Sequence, residues 1–374
     1  MCSSDLPVSL RGYQPRSGVE ALLTIIARAQ GDTVPGLAAG HVIGWEQFAL
    51  SAAPVALPPP VAGQVTVSQD RGAIRLGGGN AELVIDRGSG LVRTYRANGQ
   101  ELLTGGAPHF TRALIDNDLG VGSAKRDVPW RKASQERQVE SVDVTEADGR
   151  AIVTVRHLTG GGVARFITRY SMAGDGSVDV TASLEPLQAD LGDPLRVGLI
   201  YTTPAAYQTV QWYGRGPHET YADRKTSAPI GLWRGGLMEQ YHDYMRPQES
   251  GNKVDVRWLE LIRGNAGGGL RVAGVQPLSV NALPFPYADL DRAPPGTKRS
   301  SDIMPGSEGS LLVDLVQSGV GGDTAWSDFG RPLPEYRIKV APVTYSFRLS
   351  PVAGDGTSRG ALPASATGTA ALPD

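Results

Sequence analysis

The chain of 374 residues contains a single cysteine, Cys2. One thiol cannot form a disulfide within the chain or a cysteine-based metal site. No apolar run approaches the roughly 18–20 residues that span a membrane. Charge of one sign is also missing, since 36 Lys and Arg stand against 38 Asp and Glu and leave a net charge of −2. We therefore expect neither a nucleic acid nor a membrane as partner.

The N-terminus has no basic region followed by an apolar one, so no signal peptide is visible. Residues 1–6, Met-Cys-Ser-Ser-Asp-Leu, look like the translation of a sequencing adapter. We interpret them as an artefact that replaces a missing true start; the alternative is an ordinary polar N-terminus. The compartment is unknown on this basis, with the bacterial cytoplasm and the periplasm both open.

Glycine and proline are abundant, whereas long helical periods are missing. The 48 glycines and 27 prolines make up about a fifth of the chain, against roughly 12% in average proteins. In one run, Val178, Val180 and Ala182 alternate with polar residues, as in a strand with one buried face. Short strands separated by turns predict an all-β protein built as a large antiparallel sandwich. The predicted strands are residues 21–29, 41–50, 81–86, 91–96, 139–146, 151–157, 163–172, 177–184, 195–201, 254–262, 270–275, 309–316 and 336–349.

Four prolines between residues 51 and 64 predict an extended linker, because proline cannot continue a hydrogen-bonded strand ladder. We predict a small domain at residues 7–50 and the sandwich at residues 65–351. Residues 352–374 are rich in Ala, Gly, Ser, Thr and Pro, which predicts a disordered tail.

Residues 110–118, Phe-Thr-Arg-Ala-Leu-Ile-Asp-Asn-Asp, form the first polar cluster. Two carboxylates that flank an amide could bind Ca²⁺ or Mg²⁺ through oxygen. Asp and Asn side chains also brace turns by binding nearby backbone groups. We favour the turn.

Residues 213–224, Tyr-Gly-Arg-Gly-Pro-His-Glu-Thr-Tyr-Ala-Asp-Arg, predict a shaped polar loop. His218 and Glu219 could act as an acid and base pair. The alternative is an ion-paired loop, in which Arg215 and Arg224 bind Asp223 and Glu219. We favour this positioning role over proton transfer.

Residues 319–327, Gly-Val-Gly-Gly-Asp-Thr-Ala-Trp-Ser, present the strongest candidate, Trp326. A lone tryptophan more often packs in a core, but three glycines nearby leave its ring little cover. Its face could stack on the apolar side of a sugar. With Gly322 as part of this loop, Asp323 is expected to bind backbone amides rather than a metal.

These three segments, together with residues 246–252 (Arg-Pro-Gln-Glu-Ser-Gly-Asn), resemble in order four motifs of the large bacterial β-galactosidases of glycoside hydrolase family 2. The resemblance covers residues 12–351. It implies a galactose-mutarotase-like supersandwich, preceded by the C-terminal remnant of an immunoglobulin-like domain. It also implies a fragment of a retaining β-galactosidase that acts on terminal β-galactosides such as lactose, with Trp326 stacking on the sugar.

The same resemblance implies that the catalytic barrel and its two glutamates lie outside this chain. We therefore name no catalytic residue and expect no metal or cofactor here, while Mg²⁺ and Na⁺ are expected in the full-length enzyme. The expected partners are the galactoside and the missing barrel, in a homo-oligomeric parent. One departure is Arg299, close to where the family commonly has a histidine.

Two other functions stay open. The first is a stand-alone carbohydrate-binding module of the same fold. The second is an active mutarotase, which needs a glutamate base and a histidine acid. None of His109, His157, His218 and His242 lies in a motif that resembles a mutarotase site.

Overall fold

The computed structural model describes residues 10, 12–14, 16, 18–31, 36–51, 57–264, 267–291 and 299–354. Residues 1–6, residues 52–56 of the predicted linker and nearly all of the predicted tail lie outside this part. The described chain divides into two compact units, one up to residue 51 and one from residue 57 onward. Each unit is described by itself.

The first unit contains one antiparallel pair of strands, β1 (Ala21–Arg28) and β2 (Val42–Ser51). Both lie within a residue of their predicted bounds. Ile25, Ile43 and Phe48 are exposed on this pair. Two strands bury too little apolar surface to be stable alone in water.

The second unit is one continuous sheet of 16 strands, and every described pairing is antiparallel. Its main path runs β3-β4-β5-β6-β7-β12-β17-β16-β18-β11-β10-β9-β8, and β15, β13 and β14 branch from β16. The strands are β3 (Val65–Gln69), β4 (Ala73–Gly78), β5 (Ala81–Asp86), β6 (Val92–Ala97), β7 (Gln100–His109), β8 (Arg137–Ala147), β9 (Arg150–Thr159), β10 (Ala164–Met172), β11 (Val178–Pro186), β12 (Arg196–Pro204), β13 (Tyr207–Arg215), β14 (Ile230–Gly236), β15 (Lys253–Arg263), β16 (Gly269–Leu283), β17 (Glu308–Gln317) and β18 (Val343–Val352).

The sheet folds back on itself, so that strands from opposite ends of this order meet. The Tyr95 hydroxyl on β6 donates to the carbonyl of Gly176, in the turn between β10 and β11, at 2.9 Å. A Cβ at Gly78 would lie 2.2 Å from the carbonyl oxygen of Ala173, so only glycine allows this approach. Apolar side chains from both halves form one core. The predicted all-β antiparallel supersandwich is confirmed.

In the described part of the chain, three short α-helices interrupt the strands and were not predicted: α1 (Asp116–Gly120), α2 (Ser123–Arg126) and α3 (Val128–Gln135). They are too short for a helical period to be visible. Trp130 of α3 packs on Phe110 at a centroid distance of 5.4 Å. None of the helices in the described part of the chain has the length and apolar character to cross a membrane.

The predicted strand at residues 336–349 was wrong in its first half. The strand β18 begins only at Val343, after Pro342. Proline has no N–H to donate to a neighbouring strand. Tyr336 instead ends a 3₁₀ turn, Pro334–Tyr336, and residues 337–342 are neither helix nor strand.

Candidate functional site

Trp326 projects from a loop that follows β17, and 87% of its surface is exposed. Phe329, three residues later, is 70% exposed and was missed in the sequence. Both rings are therefore open to a flat apolar ligand or to another protein surface.

This loop closes on itself through short backbone contacts. The Asp323 N–H donates to the Phe329 carbonyl at 2.7 Å, and the Gly330 N–H donates to the Ser327 carbonyl at 2.7 Å. A Cβ at Gly322 would lie 2.4 Å from the backbone carbonyl of Gly330. Glycine is required at 322 because the two backbones touch.

The carboxylate that binds the loop amides belongs to Asp223. Its two oxygens accept from the N–H of Val320 at 3.0 Å and the N–H of Gly321 at 2.7 Å. The prediction that Asp323 plays this role was wrong. Asp323 is exposed and contributes its own backbone N–H instead.

A buried ion pair supports the base of the same loop. Arg112 binds both oxygens of Asp118, at 2.8 and 2.9 Å. Its remaining donors reach the carbonyls of Ser318 at 2.9 Å and Gly319 at 3.0 Å. Both charged side chains are buried, so each depends on the other for compensation.

The helix α1 packs directly against the backbone before Trp326. The Asn117 side-chain amide donates to the carbonyls of Thr324 at 3.3 Å and Gly330 at 3.2 Å. A Cβ at Gly120 would lie 1.6 Å from the carbonyl oxygen of Ala325. Residues 110–118 therefore support the Trp326 loop through contacts that are distant in sequence. The local brace that the turn interpretation predicts is also present, since the Ile115 N–H donates to Asp118 at 3.1 Å.

Arg215, at the end of β13, braces the loop that follows it. It binds Asp255 at 2.6 Å and the carbonyls of Lys225 and Ala228 at 3.1 and 2.9 Å. The predicted pairing of Arg215 with Asp223 or Glu219 is not formed.

Glu219 is a fully engaged carboxylate. It accepts from the Gly251 N–H at 2.7 Å, and it also binds Arg224 and the Tyr244 hydroxyl. Burial acts to raise the pKa of Glu219, but hydrogen bonds from Tyr244 and the Gly251 N–H, with the charge of Arg224, hold the pKa below its ordinary value. The expected pair of Arg224 with Glu219 is present.

His218 lies beside this network, where its Nε2 contacts the Ser227 hydroxyl at 3.0 Å. Burial lowers the pKa of His218, and the positive charges of Lys253 and Arg224 lower it further. The histidine and Glu219 thus have different partners, and the geometry favours positioning over proton transfer.

The segment at residues 246–252 connects these parts. Gln248 donates to the Asp116 carboxylate at 3.1 Å, and the Glu249 N–H donates to the Ala113 carbonyl at 3.1 Å. The Gly251 N–H reaches Glu219 as described above. All four motif segments therefore belong to one hydrogen-bonded network that carries Trp326.

A second buried ionic cluster lies in the core and was not predicted. Arg196 on β12 binds Asp314 at 2.5 Å and Glu249 at 2.9 Å, and all three side chains are buried. A Cβ at Gly198 would lie 1.7 Å from Asp314, which leans over this glycine. Burial raises the pKa of Asp314 to about 7; Arg196 opposes this shift and the charge of Glu249 adds to it.

Within the described ranges, no group of three or more His, Cys, Asp or Glu side chains is arranged to hold a metal ion. The side-chain oxygens of Asp116 and Asp118, which were considered as metal ligands, are used in the hydrogen bonds described above. Arg299 is exposed, and its backbone N–H binds the Asp302 carboxylate at 2.8 Å.

Residues 77–349 match the protein family described as Beta galactosidase small chain. The β-galactosidase of Priestia megaterium is 34% identical over 356 residues, which cover 94% of this chain and 33% of that protein. The β-galactosidase of Vibrio cholerae serotype O1 is 30% identical over 308 residues, which cover 79% of this chain and 29% of that protein. The chain thus spans about a third of the length of the curated relatives it matches.

Similar solved structures include a galactose mutarotase-like protein from Clostridium acetobutylicum. It is 9% identical with a TM-score of 0.41, and the match covers 78% of this chain and 98% of that chain. An α-galactosidase from Geobacillus stearothermophilus is 8% identical with a TM-score of 0.39, over 77% of this chain and 41% of that chain.

Proposed function

The chain belongs to the β-galactosidase small-chain family, and on this premise we propose that it is the C-terminal part of a retaining β-galactosidase of glycoside hydrolase family 2. In this proposal Trp326 stacks on the galactoside, and the bond-breaking glutamates lie in the part of the enzyme outside this chain. The proposed reaction is hydrolysis of terminal β-galactosides such as lactose.

The observation that carries the proposal is the exposure of Trp326 on a rigid loop. The ring is 87% exposed, and the backbone of its loop is held by Arg112, Asn117 and Asp223. Stacking of an aromatic ring contributes roughly 0.5–1.5 kcal/mol beyond the buried area. Such a contact orients the sugar and takes no part in proton transfer.

The residues described here bind and orient rather than react. Retaining glycosidases use two carboxyl groups roughly 5–5.5 Å apart. The sequence offered Glu219 as a possible acid or base, but its carboxylate is already hydrogen-bonded to Arg224, Tyr244 and the Gly251 N–H. We therefore assign acid, base and nucleophile to the catalytic barrel of the parent enzyme.

The proposal includes the parent's other properties. The chain matches about a third of each relative, which supports a larger enzyme that supplies the barrel as partner. The Mg²⁺ and Na⁺ of that enzyme, its homo-oligomeric state and a cytoplasmic or periplasmic location belong to the same proposal.

The decisive experiment compares variants of the full-length parent on a chromogenic galactoside. We expect Trp326→Leu to lower kcat/KM by roughly three- to tenfold, the loss of one stacking contact. Asp328→Asn is the matched control, because it changes an exposed side chain of the same loop and leaves both rings in place; it should leave kcat/KM unchanged. Unchanged kinetics in Trp326→Leu would remove Trp326 from the sugar site.

The same loop also favours a second candidate, a stand-alone carbohydrate-binding module, since its supports all belong to this chain. Calorimetric titration of the isolated chain with galactose separates the two. The galactosidase proposal expects no hydrolysis and weak binding by the chain alone. Micromolar binding would favour the module.

A further inference from the structure

We propose that Asp223 is a positioning residue for the sugar site, which acts by clamping the backbone that carries Trp326. This inference rests on the proposed role of Trp326 and extends it to Asp223, which lies 97 positions before the Val320 amide that it binds.

The clamp consists of two hydrogen bonds to consecutive amides. One Asp223 oxygen accepts from the Val320 N–H at 3.0 Å and the other from the Gly321 N–H at 2.7 Å. Hydrogen bonds to an ionised carboxylate are shorter and stronger than neutral ones. Because both oxygens are used, the carboxylate fixes the direction of two peptide groups at once.

One peptide group is held at both ends by opposite charges. The carbonyl of Gly319 accepts from the buried Arg112 at 3.0 Å, and the N–H of Val320, in the same peptide plane, donates to Asp223. The plane therefore cannot rotate without breaking a charged bond on each side. The fixed peptide plane therefore sets the direction in which the chain leaves β17 toward Trp326.

The glycines of this loop fit the same interpretation. A Cβ at Gly319 would lie 2.5 Å from an Asp223 oxygen, and a Cβ at Gly321 would lie 3.2 Å from it. A side chain at position 319 would collide with the carboxylate, and one at position 321 would crowd it, because Asp223 approaches the backbone closely. The third glycine, Gly322, serves the contact with Gly330 instead.

Asp223 is itself fixed by the rest of its segment. Tyr221 and Arg224 form a backbone bridge around it, and the Arg224 side chain binds Glu219. The polar loop at residues 213–224 therefore orients Asp223, and Asp223 orients Trp326. This assigns the loop a task at the sugar site without any proton transfer.

The test is a double-mutant cycle in the full-length parent enzyme. Asp223→Asn keeps the shape but loses the charge and one acceptor, so we expect kcat/KM to fall by about tenfold. In the Trp326→Leu background the same change should cost less than about twofold, because its target is gone. Asp328→Asn, which removes an exposed charge from the same loop, is the matched control and should have no effect.

The outcomes separate the two ideas. If Trp326→Leu alone is silent, the proposed function fails. Suppose that Trp326→Leu lowers kcat/KM. If Asp223→Asn then leaves kcat/KM unchanged, or lowers it by the same factor in both backgrounds, the positioning role is overturned. An equal cost would mean a general structural role.

Hydrogen exchange of the backbone amides in the isolated chain is an independent measurement. It can be made even if a variant of the full-length parent folds too poorly for the kinetic assay. The Val320 and Gly321 amides should exchange at least about tenfold faster in Asp223→Asn than in the unsubstituted chain, and Asp328→Asn should leave them unchanged. Equal exchange rates in all three proteins would overturn the clamp.

Discussion

Asp314 offers the sharpest test of the structure, because its proton should control the stability of the sandwich. The carboxyl group lies buried on β17, 2.5 Å from Arg196, which also binds Glu249. One guanidinium thus faces two carboxyl groups. Burial raises the pKa of Asp314 from 3.8 to about 7, against the attraction of Arg196 and with the repulsion of Glu249.

The direction of the pH effect follows from this shift. With the pKa shifted in this way, we expect the folded protein to keep the proton on Asp314 up to a pH of about 7, whereas the unfolded chain loses it near pH 3.8. The contribution of Asp314 to the free energy of unfolding therefore falls as the pH rises through this window and becomes flat above it. At 1.36 kcal/mol per pKa unit, the whole shift corresponds to roughly 4 kcal/mol.

The assay is urea unfolding of the chain from pH 5 to 8, with Asp314→Asn as the perturbation. The stability of the unsubstituted protein minus that of the variant should fall by about 2–3 kcal/mol between pH 5 and 7.5. Burial lowers the pKa of His109, so its titration acts in the opposite direction, but it is present in both proteins and cancels in the difference. A difference that is constant with pH, or that rises, would refute a protonated Asp314.

Three further predictions concern the loop. Gly120→Ala should destabilise by about 1–3 kcal/mol in urea unfolding, because the new methyl group would lie 1.6 Å from the Ala325 carbonyl; an unchanged midpoint would contradict this close approach. Arg112→Met should lower the free energy of unfolding by about 3–5 kcal/mol in the same assay, since it leaves Asp118 buried without its cation. Adding Asp118→Leu to this variant should restore part of the lost stability. Trp326→Leu should change the stability of the chain by less than about 0.5 kcal/mol, as expected for a ring that is 87% exposed, and a larger loss by differential scanning calorimetry would mean that the indole packs in the fold.

The strands could be predicted from the sequence where alternation and turn residues coincide. The strand β5 (Ala81–Asp86) has its predicted bounds, and β1, β10 and β11 differ by no more than two residues at an end. The strand β7 (Gln100–His109) was missed, because Gly105 and Gly106 break its pattern and both adopt positive φ. These glycines serve tertiary contacts, such as the approach of Gly106 to Tyr201, which no local pattern reports.

The site could be predicted only in part for a similar reason. The exposed Trp326 sits in a conspicuous glycine-rich loop, so its segment was found. The choice between Asp223 and Asp323 was not accessible, since both lie in polar loops and the decisive bonds join residues 97 and 98 positions apart. The pair of Arg196 and Asp314 is likewise formed by the register of β12 against β17, which spacing along the chain does not contain.

The rigidity of the loop decides whether Trp326 can contribute to binding at all. Ordering a side chain on association costs roughly 0.5–1.5 kcal/mol, which is as large as the roughly 0.5–1.5 kcal/mol that stacking supplies. On a mobile loop the two would cancel. Here the backbone before the indole is already held by Arg112 from the carbonyl side and by Asp223 from the amide side. The part of the ordering cost that belongs to the loop backbone is then met when the protein folds, and more of the stacking energy remains available to orient a sugar.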